Sequence, residues 1–122
     1  MRAILADDDH NVRSALRLLL EKELELDVTG EVDNGERLVQ EVCGSSPDFI
    51  LFDWELPGIK ADKLLSMLRK SCPDSYLIGL SGRPGARQAA LNAGVDAFVS
   101  KGDPPEKVLI ALRGFLLEHR GN

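Results

Sequence analysis

Short apolar segments alternate with amphipathic segments along this chain, and this alternation constrains its fold more than any other feature. Five short apolar runs predict buried strands at residues 2–6, 28–32, 48–52, 76–80 and 97–100. Five longer stretches with apolar side chains at helical spacing predict helices at residues 11–25, 36–43, 61–70, 86–93 and 105–118. Strands and helices follow one another strictly in turn, which is the pattern of successive βα units.

Successive βα units joined by right-handed crossovers form a parallel sheet with helices on both faces. We therefore predict an α/β fold, a flavodoxin-like (βα)5 doubly wound parallel sheet with strand order 2-1-3-4-5. In that order strand 2 lies on one side of strand 1 and strands 3, 4 and 5 lie on the other. The direction in which strands are added to the sheet therefore reverses between strands 1 and 3. Ligands of such folds bind beyond the carboxyl ends of the strands at this reversal, so the residues that follow each strand are the place to look for function.

Length and composition fit one domain over residues 1–122. The chain is 43% hydrophobic, which is enough for a single core. No apolar run approaches the roughly 18 residues of a membrane span, and no signal peptide opens the chain. We therefore expect a cytoplasmic protein without membrane contact. The net charge of −5 argues against direct nucleic-acid binding, and Cys43 and Cys72 lack the neighbours of a metal site.

Charged and hydroxyl side chains follow four of the five predicted strands. Strand 1 leads into Asp7-Asp8-Asp9, strand 3 into Asp53, strand 4 into Ser81 and strand 5 into Lys101. Any one of these residues alone is more often a helix cap, a turn residue or a solvated charge. Together they bring carboxylates, a hydroxyl and an ammonium to one edge of the sheet, which indicates a functional site.

The charges of this predicted cluster indicate a cation and a phosphoryl group. Asp7, Asp8 and Asp53 repel one another, so they must either raise a pKa or bind a cation. Oxygen ligands without His or Cys suit a hard cation, and Mg²⁺ fits best. Together with Lys101, the bound ion neutralises the three carboxylates, so the site can accept a dianionic phosphoryl group. Asp53 is then the nucleophile, with Lys101 and Ser81 contacting the phosphoryl oxygens.

With these motifs in place, the sequence resembles the receiver domain of two-component response regulators over nearly its whole length. The resemblance is carried by ILADDD at 4–9 with Val12-Arg13, PDFILFD at 47–53 with LPG at 56–58, IGLSG at 78–82, AGVDAF at 93–98 and SK at 100–101. It implies that Asp7 and Asp8 are the Mg²⁺-binding acidic pair and that Asp53 is the phosphoacceptor. The backbone carbonyl of Glu55 would be a further metal ligand.

The resemblance also implies a switch. On phosphorylation the Ser81 hydroxyl would move toward the phosphoryl group and the Phe98 ring would turn inward. The face built from the fourth helix, the fifth strand and the fifth helix would then change partners. The implied partners are a sensor histidine kinase or phosphotransfer protein, an output partner or fused output domain, and a second copy of the chain. Such a domain catalyses only its own phosphorylation and dephosphorylation and is not an enzyme of metabolism.

Three positions vary or depart from the family pattern. Gly102 stands where the family usually has Pro after the lysine, and glycine gives less rigid support to Lys101. Glu55 and Arg83 occupy the two variable places that tune the lifetime of the phosphoryl group. Because they are expected to face each other across the site, we hypothesise an ion pair that screens the acyl phosphate from water.

The last predicted helix carries more apolar residues than one buried face needs. Its core stripe is Val108, Ala111, Leu112 and Phe115, and a second set consists of Leu109, Ile110, Leu116 and Leu117. The second set forms either a contact patch or part of a wide buried stripe.

Other functions remain open from the sequence. The full set of acidic, hydroxyl and lysine residues argues against a receiver-like interaction module that is not phosphorylated, but Gly102 keeps this alternative open. A small Mg²⁺-dependent aspartyl-phosphate phosphatase needs a second Asp two residues after its nucleophile, where this chain has Glu55. A flavin-binding module would share the fold, but Asp7-Asp8-Asp9 would repel its phosphate. The chain either acts alone or forms the front of a longer regulator, for example one with a DNA-binding output domain.

Overall fold

The computed structural model describes the backbone of residues 1–119 and the side chains of residues 1–116. Its strands are β1 (Arg2–Ala6), β2 (Asp27–Val32), β3 (Phe49–Asp53), β4 (Tyr76–Ser81) and β5 (Ala97–Ser100). Its helices are α1 (His10–Leu24), α2 (Gly35–Cys43), α3 (Ala61–Ser71), α4 (Ala86–Ala93) and α5 (Glu106–His119). Every predicted element is present, and each end lies within one residue of its predicted position.

The five strands form one sheet in the order β2-β1-β3-β4-β5, and all neighbouring strands are parallel. This confirms the predicted topology and its reversal between β1 and β3. Pairing continues one residue past two strand ends, because Trp54 N donates to Leu80 O at 2.7 Å and Lys101 N donates to Ser81 O at 2.9 Å. The backbones next to Asp53 and Lys101 are therefore held by the sheet itself.

Two buried apolar clusters lie on opposite sides of the sheet. Ile4 and Ala6 of β1 belong to the cluster packed against α2, α3 and α4, whereas Ala3 and Leu5 belong to the cluster packed against α1 and α5. All residues of β3 are buried, which explains its continuous apolar sequence. Since each fully buried Leu, Ile or Phe contributes about 1.5–3 kcal/mol, these clusters make the sheet a stable support for the residues at its carboxyl edge.

Local signals determine where the helices around that edge begin. The Asp9 side chain caps α1 by accepting a hydrogen bond from Asn11 N at 2.9 Å, so it serves the helix. Asn34 caps α2 in the same way, through Arg37 N at 2.9 Å. By contrast, α4 follows Gly85, which has φ +84° and offers no capping side chain.

The structure decides in part between the two interpretations of the apolar residues on α5. Val108 and Leu112 are buried in the core as expected, and Ala111 and Phe115 pack against it. Leu109 is also buried, which favours the wide buried stripe for this residue. Ile110, with 62% of its surface exposed, is the apolar residue that α5 presents to solvent among the described side chains. Leu116 packs against the core, and the Leu117 side chain lies outside the described residues.

Two further sequence expectations concern cysteines and membranes. Cys43 is exposed and Cys72 is buried, and neither forms a disulfide. Within the described residues, no helix combines the length and the apolar character that crossing a bilayer requires.

Candidate functional site

Three carboxylates meet at the carboxyl edge of the sheet, between β1 and β3. One oxygen atom from each of Asp7, Asp8 and Asp53 lies within 4.8 Å of the other two. Asp7 and Asp53 are almost fully buried, with 1% and 4% of their surface exposed, whereas Asp8 is exposed. The structure thus brings together the acidic residues that the strand ends suggested, with Asp8 on the exposed side of the cluster.

Asp7 is held at three of its four polar atoms. Its backbone N donates to Val32 O of β2 at 3.1 Å, and its Oδ1 accepts from Asp9 N at 2.9 Å. Its backbone carbonyl accepts a hydrogen bond from Nη1 of Arg13. The remaining atom, Oδ2, is buried and receives no well-aligned hydrogen bond among the described residues. A positive charge, the Lys101 ammonium, contacts this oxygen, so it is a position at which positive charge is stabilised.

Lys101 lies between the two buried carboxylates. Its Nζ is 2.7 Å from Asp7 Oδ2 and 3.2 Å from Asp53 Oδ2. The contact with Asp7 has the distance of an ion pair but not the angles of a hydrogen bond. Lys101 therefore reaches the acidic cluster with Gly102 beside it, supported by the backbone bond from Lys101 N to Ser81 O.

Burial and charge shift the pKa values of this pair. Burial raises the pKa of the Asp7 carboxyl above its usual value, and repulsion from Asp53 adds to that rise, while Lys101 and the Asp9 amide oppose it without cancelling it. Burial alone would lower the pKa of Lys101, but the carboxylates of Asp7 and Asp53 outweigh it, so the pKa is raised and the ammonium stays charged. One ammonium cannot balance three carboxylates, and the remaining negative charge suits a divalent cation.

Ser81 and Glu55 are hydrogen-bonded to each other. Ser81 Oγ donates to Glu55 Oε1 at 2.7 Å and accepts from Arg83 N at 3.0 Å. Glu55 N in turn donates to Asp53 Oδ1 at 2.9 Å. Glu55 therefore joins the strand-end carboxylate to the hydroxyl of β4.

The ion pair that we hypothesised between Glu55 and Arg83 is absent from the described structure. Glu55 accepts from the Ser81 hydroxyl instead, and Arg83 contributes its backbone amide while its side chain points to solvent. The physical reason is that a short hydrogen bond is available to Glu55, whereas an ion pair with the exposed Arg83 side chain gains little.

Phe98 is buried on the α4 side of the sheet. Its ring belongs to the cluster beneath α2, α3 and α4, and the guanidinium carbon of Arg87 lies 5.9 Å from the ring centroid. Gly79 pairs with Phe98 across β4 and β5, and a Cβ atom at Gly79 would lie 3.4 Å from the ring. The Phe98 ring is thus buried while Ser81 is bound to Glu55.

Sequence reasoning assigned no role to the basic side chains of α1. Arg13 Nε pairs with Glu31 Oε1 at 3.3 Å, and Arg17 Nη1 pairs with Glu31 Oε2 at 2.7 Å. Arg17 also pairs with Glu21 at 3.4 Å. The four-residue spacing of the two arginines places them on one helix face, which is a usable signal. Their acceptors depend on where β2 lies, which the spacing does not reveal.

A sequence profile of the response regulator receiver domain matches residues 3–113, which include all five strands except Arg2 and more than half of α5. The chain therefore belongs to the response regulator receiver domain family.

Among curated proteins, the chain is similar to three bacterial regulators. It is 31% identical over 121 residues to the transcriptional activator protein ExaE of Pseudomonas putida, covering 98% of this chain and 56% of that protein. It is 29% identical over 112 residues to the transcriptional regulatory protein DesR of Bacillus subtilis strain 168, covering 92% and 56%. It is 29% identical over 111 residues to the nitrate/nitrite response regulator protein NarL of Escherichia coli strain K12, covering 89% of this chain and 51% of that protein. The chain spans about half the length of these relatives.

Solved structures show the same fold. RcsB of Salmonella typhimurium superposes with a TM-score of 0.88 at 23% identity, covering 96% of this chain and 61% of that chain. A DNA-binding response regulator of the LuxR family from Staphylococcus aureus superposes with a TM-score of 0.83 at 24% identity, covering 93% of this chain and 96% of that chain.

Proposed function

We propose that this receiver domain accepts a phosphoryl group on Asp53 from the phosphohistidine of a sensor histidine kinase or a phosphotransfer protein. The observation that carries the proposal is the position of the Lys101 ammonium, 2.7 Å from Asp7 and 3.2 Å from Asp53, beside an acidic cluster that it does not neutralise. A partly exposed ammonium that contacts the nucleophile matches the charge requirements of phosphoryl transfer. Because the proposed donors are cytoplasmic, we infer the same location for this domain.

The proposed reaction transfers a phosphoryl group from the histidine side chain of the donor to the carboxylate of Asp53. A carboxylate oxygen of Asp53 attacks phosphorus, a P–O bond forms, and the P–N bond to the donor imidazole breaks with the electron pair leaving on nitrogen. Lys101 balances the charge of the phosphoryl oxygens. Hydrolysis returns the domain to its unphosphorylated state. Water attacks phosphorus, inorganic phosphate is released, and the Asp53 carboxylate is restored. The domain thus catalyses its own modification and turns over no metabolite.

The acidic cluster fits Mg²⁺. Asp7, Asp8 and Asp53 would hold the ion, and the Glu55 backbone carbonyl is a further proposed ligand. The three carboxylate oxygens within 4.8 Å of one another and the negative charge that Lys101 leaves unbalanced support this assignment. Bound Mg²⁺ supplies positive charge that stabilises the phosphoryl oxygens during transfer.

Phosphorylation would then release Ser81 from Glu55. The Ser81 hydroxyl exchanges the Glu55 carboxylate for a phosphoryl oxygen, and the β4–α4 loop follows it. The face of α4, β5 and α5, which exposes Leu91 and Ile110, is the proposed contact surface. Its partner is an output protein, a fused output domain or a second copy of the chain. The names of the relatives favour a DNA-binding output, and this domain itself binds no nucleic acid.

Trp54 provides the reporter for a test, because it follows Asp53 and packs against Phe52 with ring centroids 6.0 Å apart. The protein is titrated with Mg²⁺ and then treated with a small-molecule phosphoryl donor, while fluorescence and intact mass are followed. We expect a Mg²⁺-dependent fluorescence change and a mass gain of one phosphoryl group. Asp53→Asn should lose the mass gain, whereas Asp33→Asn, at the end of β2 and outside the cluster, should keep it.

Two results would contradict the proposal. A mass gain in Asp53→Asn equal to that of the wild type would place the modification elsewhere. Mg²⁺ binding without any mass gain in the wild type would favour an interaction module that is not phosphorylated.

A further inference from the structure

Arg13 connects α1 to the acidic loop. Its Nη1 donates to the backbone carbonyl of Asp7, its Nε pairs with Glu31 Oε1 at 3.3 Å, and its Nη2 lies 3.4 Å from His10 Nδ1. Only 16% of its side chain is exposed. The planar guanidinium can serve several acceptors in fixed directions at once, which a lysine ammonium on a flexible stem cannot.

The partners of Arg13 lie on the two elements that hold Asp7. Glu31 precedes Val32 in β2, and Val32 O accepts the hydrogen bond from Asp7 N at 3.1 Å. Arg13 therefore ties the carbonyl side of Asp7 to the strand that already holds its amide side. Among the described backbone amides and the side chains of residues 1–116, no second donor contacts this carbonyl. Without Arg13, the turn from Asp7 to Asp9 would lose the contact that resists repulsion among the carboxylates.

We propose that Arg13 is a positioning residue for the metal pocket. It fixes the Asp7 peptide and thereby orients the Asp7 carboxylate toward Lys101 and toward a bound cation. The inference rests on the proposed function in one respect, which is that the cation is Mg²⁺. Groups that orient metal ligands typically change metal affinity by about 10- to 100-fold when they are removed.

Arg17 is a matched control. It lies one helical turn after Arg13 and also pairs with Glu31, at 2.7 Å, but it has no contact with Asp7. Its side chain is 45% exposed. Arg17→Gln therefore removes a positive charge and a Glu31 ion pair while leaving the Asp7 carbonyl bonded. Any effect specific to Arg13→Gln comes from the contact with Asp7.

The first measurement is a Mg²⁺ titration followed by Trp54 fluorescence. We expect Arg13→Gln to weaken Mg²⁺ binding by about 10-fold or more, and Arg17→Gln to stay within about twofold of the wild type. Thermal unfolding of both variants verifies that they are folded. Should Arg13→Gln fail to fold, Arg13→Lys and Arg17→Lys form a second pair that keeps the charge but loses the guanidinium. Equal Mg²⁺ affinity of the two members of a folded pair would overturn the proposal.

The second measurement uses metal-free protein. The Asp9 amide donates to Asp7 Oδ1, so its hydrogen exchange reports whether the turn is held. We expect faster Asp9 exchange in Arg13→Gln than in Arg17→Gln. Equal exchange in the two variants would also overturn the role of Arg13. If the wild type binds no Mg²⁺, the proposed metal site fails, but this exchange result still decides whether Arg13 positions the turn.

Discussion

The two halves of the site are held in very different ways. In the acidic half, the β1–α1 turn is fixed by backbone, side-chain and capping hydrogen bonds, including those from Asp9 N to Asp7 and from Asn11 N to Asp9. In the switch half, the Ser81 hydroxyl is held by Glu55 and the Arg83 amide. The α4 helix that follows starts at Gly85, with no capping side chain.

This difference separates charge binding from switching. A typical hydrogen bond contributes about 0.5–1.5 kcal/mol net, so several bonds hold the acidic turn firmly whereas one exchangeable bond holds Ser81 to Glu55. A metal pocket needs ligands that stay in place before the ion arrives. A switch needs two arrangements of similar free energy, so that a new phosphoryl oxygen can replace Glu55 as the acceptor.

Replacing Lys101 tests the acidic half with the largest expected effect. Lys101→Met removes the ammonium between Asp7 and Asp53, so the phosphorylation rate of Asp53 should fall by about 100-fold or more. Mg²⁺ binding should tighten, because no cation then competes at Asp7 Oδ2. Phosphorylation kinetics by intact mass and Mg²⁺ titration measure the two effects. Lys107→Met, on the exposed side of α5, is the control, and weaker Mg²⁺ binding in Lys101→Met would contradict the competition.

The pH dependence of the free energy of unfolding tests the acidic half through the buried carboxyl of Asp7. Because the pKa of Asp7 is raised in the folded protein, metal-free protein should gain stability as pH falls through the raised value toward the usual 3.8. One group contributes at most about 1.4 kcal/mol per pH unit. Glu31 acts oppositely, since its lowered pKa stabilises the fold above its usual 4.5 and that gain is lost at lower pH.

Chemical unfolding of metal-free protein at several pH values measures this slope. Asp7→Asn isolates the contribution of Asp7, because the Glu31 pairs are unchanged in that variant. The wild type should gain more stability on acidification than Asp7→Asn. Identical slopes would show that the buried carboxyl is not the source.

Glu55→Ala tests the switch half. Losing the Glu55 acceptor frees the Ser81 hydroxyl, which should favour the phosphorylated arrangement by about 1 kcal/mol, or roughly fivefold in phosphorylation rate from a small-molecule donor. Glu55→Gln keeps an oxygen acceptor and should lie closer to the wild type. A slower rate in Glu55→Ala would mean that Glu55 assists transfer and does not restrain Ser81.

Arg83→Ala has the smallest expected effect. The Arg83 side chain is exposed and has no partner within the described residues, while its backbone amide still donates to Ser81. The dephosphorylation rate, followed by intact mass after removal of the donor, should stay within about twofold of the wild type. A change beyond fivefold would restore the idea that this side chain shields the acyl phosphate.

Most of the fold and the membership of the acidic cluster could be predicted from the sequence. The apolar runs located the strands, and parallel pairing then brought Asp7, Asp53, Ser81 and Lys101 to one edge whatever the details of their contacts. The burial of Leu109 stayed open from the sequence, because the width of the stripe that α5 buries depends on how the helix lies on the sheet. Helical spacing alone does not reveal that width.

The contacts that orient the site could not be predicted in the same way. The bond from Arg13 to the Asp7 carbonyl involves a backbone acceptor, which any residue offers, and its orientation depends on the path of the turn. The sequence suggested the Arg83 guanidinium as the partner of Glu55, whereas the structure pairs Glu55 with the Ser81 hydroxyl. Only the placement of the β3–α3 and β4–α4 loops decides between them.

Amide hydrogen exchange in the free and phosphorylated protein tests the contrast between the two halves most directly. The Arg83 amide donates to Ser81 Oγ, and the Asp9 amide donates to Asp7 Oδ1. On phosphorylation the exchange of Arg83 should change while that of Asp9 stays protected. An Asp9 amide that responds as much as that of Arg83, or an Arg83 amide that does not respond, would contradict a fixed acidic half beside a releasable switch.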